Sequence, residues 1–237
     1  MRLLVSLSLV TLLACGAAMA AEAPAAPVAA TATASAAPSE EGFVPIFNGR
    51  DLTGWVGLLA GYKVENGVLV CLKETVGNIY TEKDYADFVL RLEFKLTPGA
   101  NNGVGIRTPN GKQASVYGME IQVLDDTATQ YKNLKPYQAC GSIYSCVAPE
   151  TGHLKPVGEW NACEITAKGR KVTVKLNGAT VVDADLDKVV AAGTPDGKQH
   201  PGLKQEAGRI AILGHKSLVE FRNLRVKELK AGTAKEL

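Results

Sequence analysis

Two short runs hold the residues of this chain best suited to chemistry: Asn101-Asn102-Gly103-Val104-Gly105-Ile106-Arg107 and Tyr117-Gly118-Met119-Glu120-Ile121-Gln122-Val123-Leu124-Asp125. In each, every second residue is apolar or packable (Val104 and Ile106; Tyr117, Met119, Ile121 and Val123), so an extended strand would bury that set. The opposite face would then present Gly105 and Arg107 on one strand and Glu120 and Gln122 on the other. A guanidinium, a carboxylate and an amide on one sheet face, with a glycine leaving room beside them, suit a polyhydroxylated or anionic ligand. The plainer alternative is a structural ion pair between Glu120 and Arg107 on an exposed face. Asp125, five residues beyond Glu120, falls on the opposite face unless the chain bends.

The elements that must position these residues are strands. Phe88, Leu90, Leu92, Phe94 and Leu96 alternate with Arg91, Glu93 and Lys95, and Val172, Val174 and Leu176 alternate with Lys171, Thr173 and Lys175. Asn66-Gly67 and Asn177-Gly178 each separate two apolar runs and predict hairpins, because both residues tolerate the positive φ of a type I′ turn. The apolar phase slips between Phe221 and Leu224, which a β-bulge near Arg222 and Asn223 would restore. Short helices are expected after Tyr80 (Thr81 to Tyr85) and around Leu186 to Ala192. Many short strands without βαβ alternation predict an all-β, antiparallel two-sheet sandwich.

The chain has 237 residues and a formal net charge of +2, with no basic block, so nucleic acid is not an expected partner. Arg2, an apolar run from Leu3 to Ala14 and Ala18-Met19-Ala20 together read as a secretory signal peptide over residues 1–20. Leu12-Leu13-Ala14-Cys15 also resembles a bacterial lipobox, so membrane attachment through a lipidated Cys15 is the competing outcome. The expected location is therefore outside the cytoplasm: periplasmic or anchored in the envelope as a lipoprotein, with secretion the further alternative. Residues 21–41, rich in Ala, Pro, Thr and Ser, read as a disordered tether, 42–230 as one domain and 231–237 as a tail. Of the remaining cysteines, Cys140 and Cys146 are close enough to pair across a turn, while Cys71 and Cys163 sit on apolar strand faces and read as buried thiols. Their spacing matches no zinc pattern.

Several segments resemble one known family: Phe47-Asn48-Gly49-Arg50-Asp51-Leu52-Thr53-Gly54-Trp55, Val64-Glu65-Asn66-Gly67-Val68-Leu69-Val70 and Asp87-Phe88-Val89-Leu90-Arg91-Leu92-Glu93-Phe94, then Gly158-Glu159-Trp160-Asn161 and Phe221-Arg222-Asn223-Leu224-Arg225-Val226-Lys227-Glu228-Leu229. The resemblance is to the 3-keto-disaccharide hydrolase domain family and covers residues 42 to 230. It implies a concanavalin-A-like jelly roll whose concave sheet binds sugars, and an exported bacterial activity on glycosides oxidised to a ketone at C3. This chain departs from the family pattern at Tyr62, where Trp is common, and at Leu213, where Gln is common.

Ordinary glycoside hydrolysis needs two carboxyl groups across the scissile bond, and here Gln122 stands two residues from Glu120 where a second carboxylate would be expected. A 3-keto sugar relaxes that need. The ketone acidifies the hydrogen at C2, a single base forms an enolate, the C1 group leaves, and water can add back. Glu120 is the expected base, Arg107 the oxyanion or hydroxyl contact, and His215 the acid or a metal ligand. Gln122, Tyr117, Asn101, Asn102, Asp125, Glu159 and Asn161 are the expected substrate contacts. His215, Glu120 and Asp125 also suit a divalent cation, although no ligand spacing marks one. Trp160 and Trp55 read as packing residues, and His153 and His200 as loop residues. The alternative functions are a non-catalytic carbohydrate-binding module and an envelope-scaffold domain.

Overall fold

The computed structural model describes residues 41–230. The expected leader with Cys15, the tether up to residue 40 and the tail from 231 lie outside the described residues. Thirteen strands occur among the described residues: β1 (Val44–Pro45), β2 (Trp55–Gly57), β3 (Tyr62–Glu65), β4 (Val68–Cys71), β5 (Ile79–Tyr85), β6 (Phe88–Leu96), β7 (Asn101–Thr108), β8 (Met119–Leu124), β9 (Trp160–Lys168), β10 (Lys171–Leu176), β11 (Ala179–Asp185), β12 (Gly208–Gly214) and β13 (Val219–Glu228). Two short helices, α1 (Ala114–Tyr117) and α2 (Leu186–Ala192), and a few 3₁₀ turns complete the fold. Among the described residues no helix is long and apolar enough to cross a membrane.

The strands form two antiparallel sheets. One has eight strands, in the order β11-β10-β9-β6-β13-β4-β3 with β1 also on β13, and the other five, in the order β2-β5-β12-β7-β8. Alternation explains the layering. In β6, Phe88, Leu90, Leu92, Phe94 and Leu96 are buried while Val89, Arg91, Glu93 and Lys95 between them are partly exposed, and from the facing sheet Val104, Ile106, Met119, Ile121, Val123, Ile210 and Ile212 enter the same core. Burial of this apolar surface is the main stabilising term.

The predicted hairpins form at both Asn-Gly pairs, with φ of 50° at Asn66, 80° at Gly67, 49° at Asn177 and 91° at Gly178. The predicted bulge lies between Arg222 and Arg225, where Asn223 has φ of 55°. Helix α2 forms where periodicity placed it, with the Asp185 carboxylate accepting from the amides of Asp187 and Lys188.

Two local expectations are corrected. Thr81 to Tyr85 is not helical but continues β5, because Thr81 pairs with Trp55, and Asp84 and Tyr85 pair with Arg209 and Gly208. Cys140 and Cys146 do not pair; Cys71, Cys140, Cys146 and Cys163 are all free, buried thiols. Burial raises the pKa of every one, pushing Cys146 and Cys163 up to about 12, so none is a poised nucleophile. Trp55 packs as expected, its Nε1 donating to the Ile46 carbonyl at 2.9 Å. Trp160 lies instead on the outer side of the large sheet, its ring 4.0 Å from the Arg222 guanidinium and 5.0 Å from Lys95 Nζ.

Candidate functional site

The five-stranded sheet turns its second face toward a cavity of about 260 Å³ lined by Asn101, Gln113, Ser115, Glu120, Gln122, Leu124, Tyr131, Leu134, Gln138, Tyr144 and His215. On β8, Met119, Ile121 and Val123 go to the core, which leaves Glu120, Gln122 and Leu124 facing the cavity. Across the ladder, Gly105 opposes Glu120, Gly103 opposes Gln122 and Asn101 opposes Leu124. The absence of a side chain at Gly103 makes space for the carboxylate: a Cβ there would fall 2.5 Å from Glu120 Oε1 and 2.9 Å from Leu213 Cδ1.

Glu120 is buried, and His215 Nε2 lies 3.5 Å from its Oε1 while the imidazole itself stays 42% exposed at the mouth. His215 is set by the end of β12: it bridges Val76 in antiparallel fashion, and the Lys216 amide donates to the Thr75 carbonyl at 2.9 Å. The Gln122 amide nitrogen reaches Asn101 Oδ1 at 3.2 Å. With the amide turned over, that nitrogen serves Glu120 Oε1 at 3.3 Å and the Asn102 carbonyl at 3.2 Å. Glu120, His215, Gln122 and Asn101 therefore converge.

The wall opposite is the long connection after β8. Its Ser142 carbonyl accepts from the Gln122 amide, the Gln122 carbonyl accepts from Gly141, and the Glu120 carbonyl accepts from Tyr144 at 2.8 Å. The free edge of β8 is thereby covered, and Tyr144 is fixed beside Glu120. Sequence reading missed Tyr131, Leu134, Gln138 and Tyr144 because they fall in a stretch without periodicity. The length of that unpatterned stretch was the available signal, since long connections in compact domains tend to be functional. Gln113 and Ser115 of the facing wall belong to α1 and its lead-in, where the alternation rule predicted nothing.

Six expected site residues are placed elsewhere. Arg107 is 1% exposed and away from the cavity: Nη2 donates to Asp87 Oδ1 at 3.0 Å, Nε to the Ala86 carbonyl at 2.9 Å, and Nη1 to the carbonyls of Gly169 (2.8 Å) and Gln205 (3.3 Å). The cause is a bulge. Thr108 and Gly105 of β7 oppose Arg209 and Ala211 of β12, so β7 has one more residue than its partner, and Arg107 takes a φ of 46°. Parity beyond Ile106 is thus reversed relative to simple alternation.

Tyr117 ends α1 rather than starting a strand and is 46% exposed, with Lys112 Nζ 5.8 Å from its ring centroid. Asn102 shares parity with Val104 and Ile106 and points between the sheets, its Oδ1 accepting from the Gly103 amide. Asp125 turns to the Gly99 amide (2.7 Å) and Thr127, closing the bend after β8. Glu159 lies in the bend just before β9, and Asn161 belongs to β9 of the eight-stranded sheet. Asn161 Oδ1 accepts from the Lys155 amide and from Asn177 Nδ2, each at 2.9 Å, and Glu159 is exposed.

With Asp125 turned away, the divalent-cation set reduces to Glu120 and His215, and no group of three or more His, Cys, Asp or Glu that could hold a metal occurs among the described residues. These side chains do not by themselves form a metal site. His200, expected only as a loop residue, has a buried imidazole: Nδ1 lies 2.8 Å from the Ser115 carbonyl and Nε2 3.0 Å from Asp196 Oδ2. It ties the 194–200 loop to the cavity wall.

The comparisons agree with this architecture. Among solved structures, a candidate glycosyl hydrolase of Parabacteroides distasonis is 29% identical, covering 79% of this chain and 99% of its own with a TM-score of 0.71. A second from that organism is 28% identical, covering 80% and 95% with a TM-score of 0.69. A Bacillus subtilis protein of unknown function with a galectin-like fold, 10% identical, covers 78% and 94% with a TM-score of 0.52 and attests the jelly-roll fold alone. No curated protein matches the chain. The family model of the 3-keto-alpha-glucoside-1,2-lyase-like domain matches residues 42–227, most of the chain and nearly all of the sandwich around the cavity, so the chain belongs to that family.

Proposed function

We propose that this chain is an exported enzyme cleaving glycosidic bonds of 3-keto glycosides by elimination from C2 and C1. The observation that carries the reading is a single carboxylate, Glu120, facing the cavity with His215 Nε2 3.5 Å away and no second carboxylate in the lining. Two-carboxylate hydrolysis is unsupplied there, whereas elimination needs one base. Glu120 removes the C2 hydrogen activated by the ketone, and the C2–H electron pair forms the enolate. Collapse of the enolate forms the C1–C2 double bond and breaks the bond from C1 to the leaving oxygen, which takes its proton from His215 at the solvent-facing mouth. Water adding across the double bond would convert the lyase product to the hydrolysis product.

The remaining lining is amide, hydroxyl and phenol, with no Lys or Arg, which suits an uncharged sugar. This narrows the ligand class, because the guanidinium expected to favour anions is not in the cavity. The volume of about 260 Å³ lies just below the roughly 300–1,000 Å³ of sites enclosing drug-sized molecules, and fits one sugar ring.

The test is incubation of the purified chain with 3-keto glycosides, following release of the aglycone or disaccharide partner. Glu120→Gln should lower kcat by about 10²–10⁴-fold, the usual worth of a general base. Binding of unoxidised sugars that survives Glu120→Gln, with no turnover by the parent across several 3-keto substrates, would identify a carbohydrate-binding module instead.

A further inference from the structure

Elimination from a 3-keto sugar places negative charge on the ketone oxygen, and with Arg107 locked against Asp87 that charge lacks the stabiliser expected from sequence. Two phenols face the cavity, those of Tyr131 and Tyr144. Their hydroxyl protons differ in availability. Tyr131 donates to the Gly99 carbonyl at 3.3 Å, so its proton is engaged away from the ligand. Tyr144 Oη instead accepts from Gln138 Nε2 at 3.1 Å. The orientation of the Gln138 amide is fixed independently, because its Oε1 accepts from the Lys135 amide at 3.0 Å. Tyr144 therefore receives a hydrogen bond from protein and keeps its own proton free for the cavity. A donor on a phenol oxygen also polarises the O–H bond, and hydrogen bonds in such a chain reinforce one another.

The backbone places this phenol beside the base, since the Tyr144 amide donates to the carbonyl of Glu120 itself at 2.8 Å. The Tyr144 segment is held as an added strand on β8, with Ile143 bridging Ile121 and the neighbouring Gln122 bonds already described. A donor set in advance where charge develops is the arrangement that stabilises an enolate in a water-poor site.

We propose that Tyr144 is a catalytic residue: its hydroxyl donates to the C3 oxygen as the enolate forms, with Gln138 orienting it. This rests on the reading of the cavity as a 3-keto glycoside site. In the step, Glu120 takes the C2 proton, the C2–H electron pair becomes the C2=C3 bond, and the C3=O electrons move onto oxygen, which accepts the Tyr144 hydrogen bond without net proton transfer. Tyr144 is thus needed before the leaving group departs.

That order permits a test that separates it from bond cleavage. A 3-keto sugar with hydrogen in place of the C1 substituent has no leaving group, and in D₂O its C2 hydrogen exchanges each time an enolate forms. The parent should catalyse this exchange and Glu120→Gln should not. Tyr144→Phe should slow both exchange and kcat on a 3-keto glycoside by about 10²-fold, the size of losing one oxyanion donor, with KM changed only a few-fold. Gln138→Leu, which leaves the phenol in place without its orienting donor, should give a smaller loss, again in kcat. Tyr131→Phe should act on KM instead. Parental exchange with Tyr144→Phe equal to the parent would overturn the role of Tyr144 while leaving the elimination reading intact. No exchange and no turnover by the parent would remove both together.

Discussion

Glu120 gains its role from its neighbours rather than from its own type. The cavity depends on glycine at 103, whose missing Cβ is what lets Glu120 Oε1 occupy its position. Gly103 does not have positive φ, so Gly103→Ala imposes no backbone penalty and acts through the side chain alone. The expected outcome is a folded protein in which the carboxylate has moved by a fraction of an ångström to an ångström. Turnover of a 3-keto glycoside should fall by about 10²-fold, since misplacement on that scale is costly when geometry sets the rate. Steady-state kinetics with circular dichroism as the folding control would check it. A variant with parental kcat would show that Glu120 has room to spare.

The bulge in β7 decides at the level of the element what Arg107 does. It turns the guanidinium from the cavity into a clamp joining the β5–β6 connection, the β9–β10 hairpin and the loop before β12. Burial lowers the Arg107 pKa and the Asp87 charge opposes that effect, so the pair works as a unit. Arg107→Ala leaves Asp87 uncompensated and three carbonyls without their donor, and should destabilise the fold by about 3–5 kcal/mol. Urea unfolding of Arg107→Ala, beside a doubly apolar pair at 87 and 107, would test this; the double variant should recover part of the loss. The same clamp explains why alternation misjudged this residue. A bulge changes parity through one inserted residue, and Arg at a positive φ has no sequence signature of the kind Asn-Gly has.

For the whole molecule, the cavity wall is tied to the rest of the domain through His200 and Asp196. Burial would raise the Asp196 pKa, but hydrogen bonds from the Lys198 amide, His200 and Thr194 outweigh it and bring the carboxyl down to about 2. A depressed folded-state value means stabilisation that is complete above the unfolded value of 3.8 and is lost as pH falls toward 2. At about 1.4 kcal/mol per pH unit, and discounted for screening by solvent at this loop, the contribution is on the order of 1 kcal/mol. Thermal unfolding should therefore show the parent above Asp196→Asn at neutral pH, with the two curves converging between pH 4 and 2. A gap that persists unchanged at pH 2 would mean that Asp196 acts by packing rather than by charge.

Strand alternation, the Asn-Gly turns and the slip between Phe221 and Leu224 are local properties, so the sequence alone determined the antiparallel sandwich and the cavity-facing side of β8, including Glu120 and Gln122. His215 was identifiable as a residue type but not as a neighbour, because its contact with Glu120 runs from the end of β12 across the sheet. Asn161, Asp125 and Asn102 carry sugar-binding chemistry in their side chains, yet each satisfies buried or turn backbone groups instead. Tyr144 and Gln138 were hidden for the opposite reason: an irregular segment has no period, and only its pairing with the edge of β8 brings a phenol to the base. Local periodicity fixes which way a side chain points along a regular strand, whereas bulges, edge pairing and strand ends depend on contacts between distant residues, and those the tertiary structure alone decided.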